Sequence, residues 1–277
     1  MSSSDRIGPI EILWGHSPLV SSQPHGGTWL PPEVAAALDE TGRTVADTDW
    51  WIDRLYAPLA ERFRATVVRT PVSRWVIDVN RDPSGASLYP GQATTGLVPT
   101  ETFDGAPIWR PGMVPDAAEI ARRKRLWFEP YHAALAAAIT RTRLRHGFCL
   151  LWDCHSIRSR IPRLFEGVLP TFNLGTFEGR SCSPALRAAA ERVLAGAGES
   201  FVIDGRFKGG WITRHWGRPA EAVEAVQMEL AQAAYMDESP PWTFREEKAE
   251  RVRAVLANLV ETLLQEAGRR HAPGTAR

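Results

Sequence analysis

Asp153-Cys154-His155-Ser156-Ile157-Arg158-Ser159 gathers an acid, an imidazole, hydroxyls and a guanidinium into one short stretch. It directly follows the apolar run Gly147-Phe148-Cys149-Leu150-Leu151-Trp152, which reads as a buried strand. An open α/β sheet keeps its sites at the carboxyl edge of such strands. An imidazole placed there can bind a metal, and an arginine a few residues on can hold an anion. The stretch therefore reads as the floor of a hydrolytic metal site.

Other residues could complete it. His25 lies in the rigid turn Gln23-Pro24-His25-Gly26-Gly27, and Asp47 and Asp49 precede an amphipathic run. Two imidazoles and one carboxylate with an open fourth position make a hydrolytic zinc site, or one for another divalent metal. Each group also has a plainer role. Taken alone, His25 is a turn histidine bonded to backbone, and Asp47 is a helix N-cap. That leaves Asp49 as the better ligand candidate. Asp153 and His155 are two apart in extended chain and so share a side. Asp153 then either orients an imidazole from behind or stabilises a loop. Cys154 points the other way, as a packed thiol. Glu229 sits inside Ala225-Val226-Gln227-Met228-Glu229-Leu230, a carboxylate within an otherwise apolar strand. Burial beside a metal would raise its pKa toward the range of a general base. A buried ion pair with an arginine explains it equally well.

Anion-binding groups cluster too. Arg81 follows Asn80, while Arg158, Arg160 and Arg163 crowd the segment after His155. Arg206 and Arg214 flank Lys208-Gly209-Gly210. Guanidinium forks match carboxylates in two-point geometry, which suits a small acidic substrate. Most other arginines read as solvated surface charge. Thr213 and His215 accompany Arg214 in what reads as a Gly-rich loop, where they are expected to touch substrate.

The elements that must position these groups follow from periodicity. Residues 10–20 hold a first strand and its exit, Pro31–Leu38 a short helix, and Ile52, Leu55, Tyr56, Leu59 and Phe63 one helix face. Thr66–Val68 and Trp75–Val79 read as strands. The Gly- and Pro-rich stretch Asn80–Pro115 reads as an ordered loop packed through Leu88, Tyr89, Phe103, Ile108 and Trp109. Asp116–His146 is helical, bent or broken at Pro130. A loop is expected over 153–183, a helix over 184–195, strands over 201–203 and 225–230, and a closing helix over 249–264. Fraying is expected from Gly268.

With 277 residues the chain is expected to form one α/β domain spanning 1–277, with its core over about 10–265. Its 33 Lys+Arg nearly balance 32 Asp+Glu, against a nucleic-acid or anionic-membrane partner. No apolar run approaches the roughly 20 residues of a membrane span. Met1-Ser2-Ser3-Ser4-Asp5 has neither a basic start nor an apolar core, so no secretory signal is expected. Three cysteines suit reduced thiols in a cytoplasmic protein. Eleven tryptophans hint at an aromatic pocket wall, with core packing the plainer reading of most. Oligomeric state is not encoded legibly.

Taken together, these segments resemble the N-formylglutamate amidohydrolase (deformylase) family of histidine catabolism. The resemblance rests on Pro24-His25-Gly26-Gly27, Asp47-Thr48-Asp49-Trp50 and Asp78-Val79-Asn80-Arg81. It continues through Asp153–Ser159, Pro162-Arg163-Leu164-Phe165-Glu166-Gly167, Arg206-Phe207-Lys208-Gly209-Gly210 and Gln227-Met228-Glu229-Leu230. It implies a zinc-carboxypeptidase-like (phosphorylase/hydrolase-like) mixed sheet with helices on both faces. It implies zinc on His25, Asp49 and His155, and Glu229 as base; an arginine near the metal, Arg158 or Arg81, is then expected to hold the oxyanion. Asn80-Arg81 would take one substrate carboxylate, and Arg206 and Arg214 the other. The implied reaction is hydrolysis of the N-formyl C–N bond of N-formyl-L-glutamate or a close N-acyl acidic amino acid. Trp109, Trp211 and Trp216 stand where the family suggests tyrosine, and the 176–183 loop is unusual. Those departures imply a larger, drier pocket wall and leave formimino or carbamoyl substituents as alternatives. A metal-free binding protein for small dicarboxylates is the alternative from another class.

Overall fold

The computed structural model describes residues 4–7, 10–88 and 91–272. Among these, the strands are β1 (Ser4–Ile7), β2 (Ile10–Leu13), β3 (Leu19–Gln23), β4 (Thr66–Arg69), β5 (Cys149–Ile157), β6 (Phe172–Gly175), β7 (Phe201–Ile203) and β8 (Val223–Ala231). They form a mixed sheet in the order β1-β2-β4-β3-β5-β8-β6-β7. The helices are α1 (Pro32–Ala37), α2 (Glu40–Arg43), α3 (Ile52–Arg62), α4 (Ala117–Arg123), α5 (Glu129–His146), α6 (Pro184–Ala195), α7 (Trp211–Trp216) and α8 (Glu246–His271).

The central strands β4, β3, β5 and β8 run parallel. After β4 the chain returns to the other side of β3 as β5. Strand order therefore reverses between β3 and β5, the crevice where doubly wound sheets place ligands. Alternation along β5 and β8 feeds two cores. Leu150, Trp152, Cys154, Val226, Met228 and Leu230 pack with α3, α6 and α8 on one face. Cys149, Leu151, Val223 and Ala225 pack with α5 on the other. Burial of each large apolar side chain stabilises by about 1.5–3 kcal/mol. Helices thus cover both faces, as expected.

Several sequence expectations change. Trp75–Val79 is not a strand but a buried turn, with Val76 N–H bonded back to Ser73 O. Its apolar side chains are core, while the backbone curls so that the buried Asp78 carboxylate can collect His25, Arg74 and the Asn80 N–H. The strand expected to end at Trp152 runs on to Ile157, held by β8 along its whole length. β6 lies inside the expected 153–183 loop. The helix around Pro130 does not break. A π-helical turn, Lys124–Phe128, joins α4 to α5 and leaves Pro130 in the first turn of α5, where proline is tolerated. Asp47 does not cap α3, whose N-cap is Trp51; Asp47 Oδ2 instead accepts the Phe103 N–H at 2.6 Å. α8 continues through Gly268 to His271, so fraying expected from Gly268 is not seen there, and the tail after residue 272 lies outside the described residues. Phe103, Ile108 and Trp109 are buried as expected of a packed loop; Tyr89 lies outside the described residues.

Candidate metal centre and hydrolytic site

One face of the sheet changes character halfway along. On β5, Cys149 and Leu151 are followed on the same side by Asp153 and His155. On β8, Val223 and Ala225 are followed by Gln227 and Glu229. The parallel register sets Asp153 beside Gln227 and His155 beside Glu229. His25 leaves the end of β3 two residues on, and its carbonyl accepts the Asp49 N–H at 3.1 Å. That bond joins the loops that carry His25 and Asp49. Glycine is required next to it: a Cβ at Gly27 would lie 2.3 Å from the Pro71 carbonyl carbon.

His25, Asp49 and His155 converge, their ligand atoms all within 4.8 Å of one another and all three residues buried. His25 Nδ1 and His155 Nδ1 lie 3.7 and 3.1 Å from Asp49 Oδ2. The opposite ring nitrogens are held from behind. His25 Nε2 is 2.7 Å from Asp78 Oδ1. His155 Nε2 is 3.1 Å from Asp153 Oδ2 and 2.9 Å from Asn80 Nδ2. Asp153 is fixed in turn by Ser22 Oγ at 2.9 Å and Thr213 Oγ1 at 3.4 Å. Of its two expected roles, then, Asp153 orients an imidazole. His25 bonds carboxylates through its ring rather than backbone. Carboxylate-backed imidazoles whose Nδ1 atoms turn toward one acid form a nitrogen–oxygen donor set that fits a divalent cation.

The two imidazoles differ electrostatically. Burial, reinforced by Arg74, lowers the pKa of His25, which favours the neutral imidazole that a metal would need. At His155 burial also disfavours charge, but Asp153 and Asp49 outweigh it and raise the pKa well above the usual imidazole value. Asp49 stays ionised: burial works against it, yet His155, His25 and Arg74 hold its pKa below the ordinary value. Asp49, Asp78 and Asp153 thus surround a spot that attracts positive charge. Glu229 behaves differently. Burial, and then the Asp49 charge, push its carboxyl up to about 8 against the opposing pull of His155 and Arg74. Among the described residues no arginine ion-pairs with it, so the ion-pair alternative is not realised.

A cavity of about 60 Å³ opens onto these groups, walled by Arg74, Asn80, Arg81, Phe103, Arg206 and Phe207. The remaining expected site residues divide around it. Arg81 reaches Thr95 O at 3.0 Å and Arg206 reaches Leu164 O and Ala93 O, each at 2.8 Å, so both help build the wall they line. Arg214 does not line the cavity; it ties Gly209 O and Leu88 O. Arg158 is also outside, bridging Asp104 at 2.7 Å and Asp47 at 3.6 Å. Thr213 is buried behind His155. His215 sits on α7, not in a loop, with its ring stacked on Trp211 at 5.0 Å. Among the described residues no tryptophan lines the cavity, whose aromatic lining is Phe103 and Phe207, so the wall changes expected at Trp109, Trp211 and Trp216 do not reach it. Arg74 was not anticipated. It is buried, bonds Asp78 Oδ2 at 2.7 Å and stands 3.5 Å from Asp49 Oδ1. Its one advance signal was a guanidinium set among Trp75, Val76 and Ile77.

Residues 17–236 match the sequence profile of N-formylglutamate amidohydrolase. The chain belongs to that family. The N-formylglutamate deformylase of Pseudomonas aeruginosa is 50% identical over 251 residues, which cover 90% of this chain and 94% of the relative. That of Pseudomonas putida is 47% identical, covering 90% and 93%. The crystal structure of the N-formylglutamate amidohydrolase from Ralstonia eutropha JMP134 superposes with a TM-score of 0.75 at 28% identity, over 92% of this chain and 97% of that one. A protein of Agrobacterium tumefaciens shares the fold, with a TM-score of 0.72 at 18% identity over 93% and 95%.

Proposed function

We propose that this chain hydrolyses the N-formyl C–N bond of N-formyl-L-glutamate, or of a close N-acyl acidic amino acid, releasing formate and glutamate. The observation that carries the reading is the meeting of His25, Asp49 and His155 beside a buried Glu229 whose carboxyl titrates near 8. Zinc or another divalent ion held by those three residues would acidify a water and polarise the formyl oxygen. Glu229 takes the proton of the attacking water and returns it to the leaving nitrogen as the C–N bond breaks. Arg74 replaces Arg158 as the group that faces the developing oxyanion. It is buried, it lines the cavity, and its Nε–H has no partner among the described residues. Asn80 and Arg81 take one carboxylate of the substrate and Arg206 the other. Arg214, Thr213 and His215 support the wall rather than touch the ligand.

Buried free cysteines suit the cytoplasmic setting that histidine catabolism implies. Among the described residues no helix is long and apolar enough to cross a membrane. With Trp211 and Trp216 away from the cavity, the formimino and carbamoyl alternatives lose their motive. The decisive experiment measures formate release from N-formyl-L-glutamate together with bound metal. Glu229→Gln should keep its metal and lose about 10²- to 10⁴-fold in turnover. Near-normal turnover would remove the base assignment. Purified protein with no divalent metal and no rescue by adding one would favour the metal-free dicarboxylate binder.

A further inference from the structure

Gln227 lines the cavity and is buried, yet it is neither a metal ligand nor an anion holder. Its amide has a defined orientation. A backbone N–H only donates, so the amide atom 2.7 Å from Gly210 N is the oxygen. The amide nitrogen is then the atom 3.2 Å from Glu229 Oε2. Among the described residues no other group hydrogen-bonds the Glu229 carboxylate. Both ends of this link are rigid. Gln227 and Glu229 share a side of β8, and pairing with Asp153 and His155 fixes their register. At the other end, a Cβ on Gly210 would fall 2.3 Å from Asn80 Nδ2. The next residues bond the same asparagine, Trp211 N–H to Asn80 O and Ile212 N–H to Asn80 Oδ1.

We propose that Gln227 is a positioning residue for the hydrolysis: it fixes one oxygen of Glu229 so that the other faces the triad, and couples that orientation to the loop carrying Asn80. This rests on the reading of Glu229 as base. A glutamate side chain has three rotatable bonds, and a base displaced by about 1 Å loses on the order of 10²-fold in rate. A single donor anchored to the backbone removes that freedom.

The test uses the metal-loaded full-length protein carrying Gln227→Met, which removes both bonds, or Gln227→Glu. The second variant keeps an acceptor for Gly210 N–H but creates a carboxyl pair that repels or shares a proton, so Glu229 is no longer a free base. In both, kcat should fall about 10- to 100-fold, with KM within about threefold and metal content unchanged. Adding Gln227→Met to Glu229→Gln should produce no further loss, because the group being positioned is already disabled. Wild-type kcat in either folded variant overturns the proposal, as does a change confined to KM or a multiplicative loss in the double variant. Should the Met variant fail to fold, the Glu variant decides. Normal turnover in Glu229→Gln alone would instead overturn the base assignment, a separate result.

Discussion

Strands β5 and β8 are buried along all nine residues of each, yet the two ends of one face serve opposite purposes. Under α5 that face carries Cys149, Leu151, Val223 and Ala225, whose contribution is apolar burial. Farther along it carries Asp153, His155, Gln227 and Glu229, equally removed from water and rich in groups that cost free energy to bury. The first half stabilises the fold; the second is tolerated because each polar atom meets a partner or the cavity. Burial alone therefore does not distinguish core from site. What distinguishes them is whether the neighbours are methyl groups or hydrogen-bonding atoms.

The comparison breaks most sharply if polarity is moved one step back toward the apolar half. Leu151→Asp would place a carboxylate against α5 with no donor in reach. It should destabilise by about 4 kcal/mol or more, read from urea unfolding. A loss below about 1 kcal/mol would mean that the apolar half is wetter than its packing indicates.

A second test uses the free energy stored at Glu229. Its carboxyl titrates near 8 when folded and near 4.5 when unfolded. Between those values the folded chain holds a proton that the unfolded chain has released. Stability from this group is therefore full below the unfolded value and is lost as pH rises toward 8. A shift of that size is worth on the order of a few kcal/mol. Metal-free protein should lose stability from pH 5 to 8 relative to Glu229→Gln, whose amide does not titrate. Parallel curves for the two proteins would show that Glu229 is not perturbed by its surroundings.

Asp153→Asn asks for less. It keeps the shape of the polar half but weakens the charge behind His155 and its pull on the Ser22 and Thr213 hydroxyls. Metal affinity should fall about 10- to 100-fold with the fold intact, measured by competition with a chelator. Unchanged affinity would return Asp153 to a purely structural role.

The same contrast explains what was legible in the sequence. Apolar periodicity located α3, α6 and α8 and the first half of β5. It stopped at Trp152 because polar residues follow, although pairing with β3 and β8 carries the strand on. Trp75–Val79 failed in the opposite direction: apolar residues that are core but not strand. His25, Asp49, His155 and Glu229 were legible as chemical types in ordered blocks, and the structure brings them together. The arginines were not. Arg74, Arg158, Arg206 and Arg214 look alike along the chain, and only three-dimensional neighbours show that Arg74 and Arg206 line the cavity while Arg158 and Arg214 do not.

Arg158 and Arg74 carry the mildest test of that distinction. Arg158 is about a quarter exposed (24%) and its close partner, Asp104, is half exposed (54%), so their pair is worth at most about 1 kcal/mol. Its second partner, Asp47, is buried, and burial already pushes that carboxyl up to about 6. Removing the guanidinium should raise it further without exposing an unpaired charge, since a protonated Asp47 remains neutral. Arg158→Gln should accordingly leave kcat and KM within about threefold and change the melting temperature only slightly. A 100-fold fall in kcat with unchanged metal content would put Arg158 at the oxyanion after all. The cavity would then have to rearrange on substrate binding, so that an arginine now held by Asp104 and Asp47 swings in to join or displace Arg74.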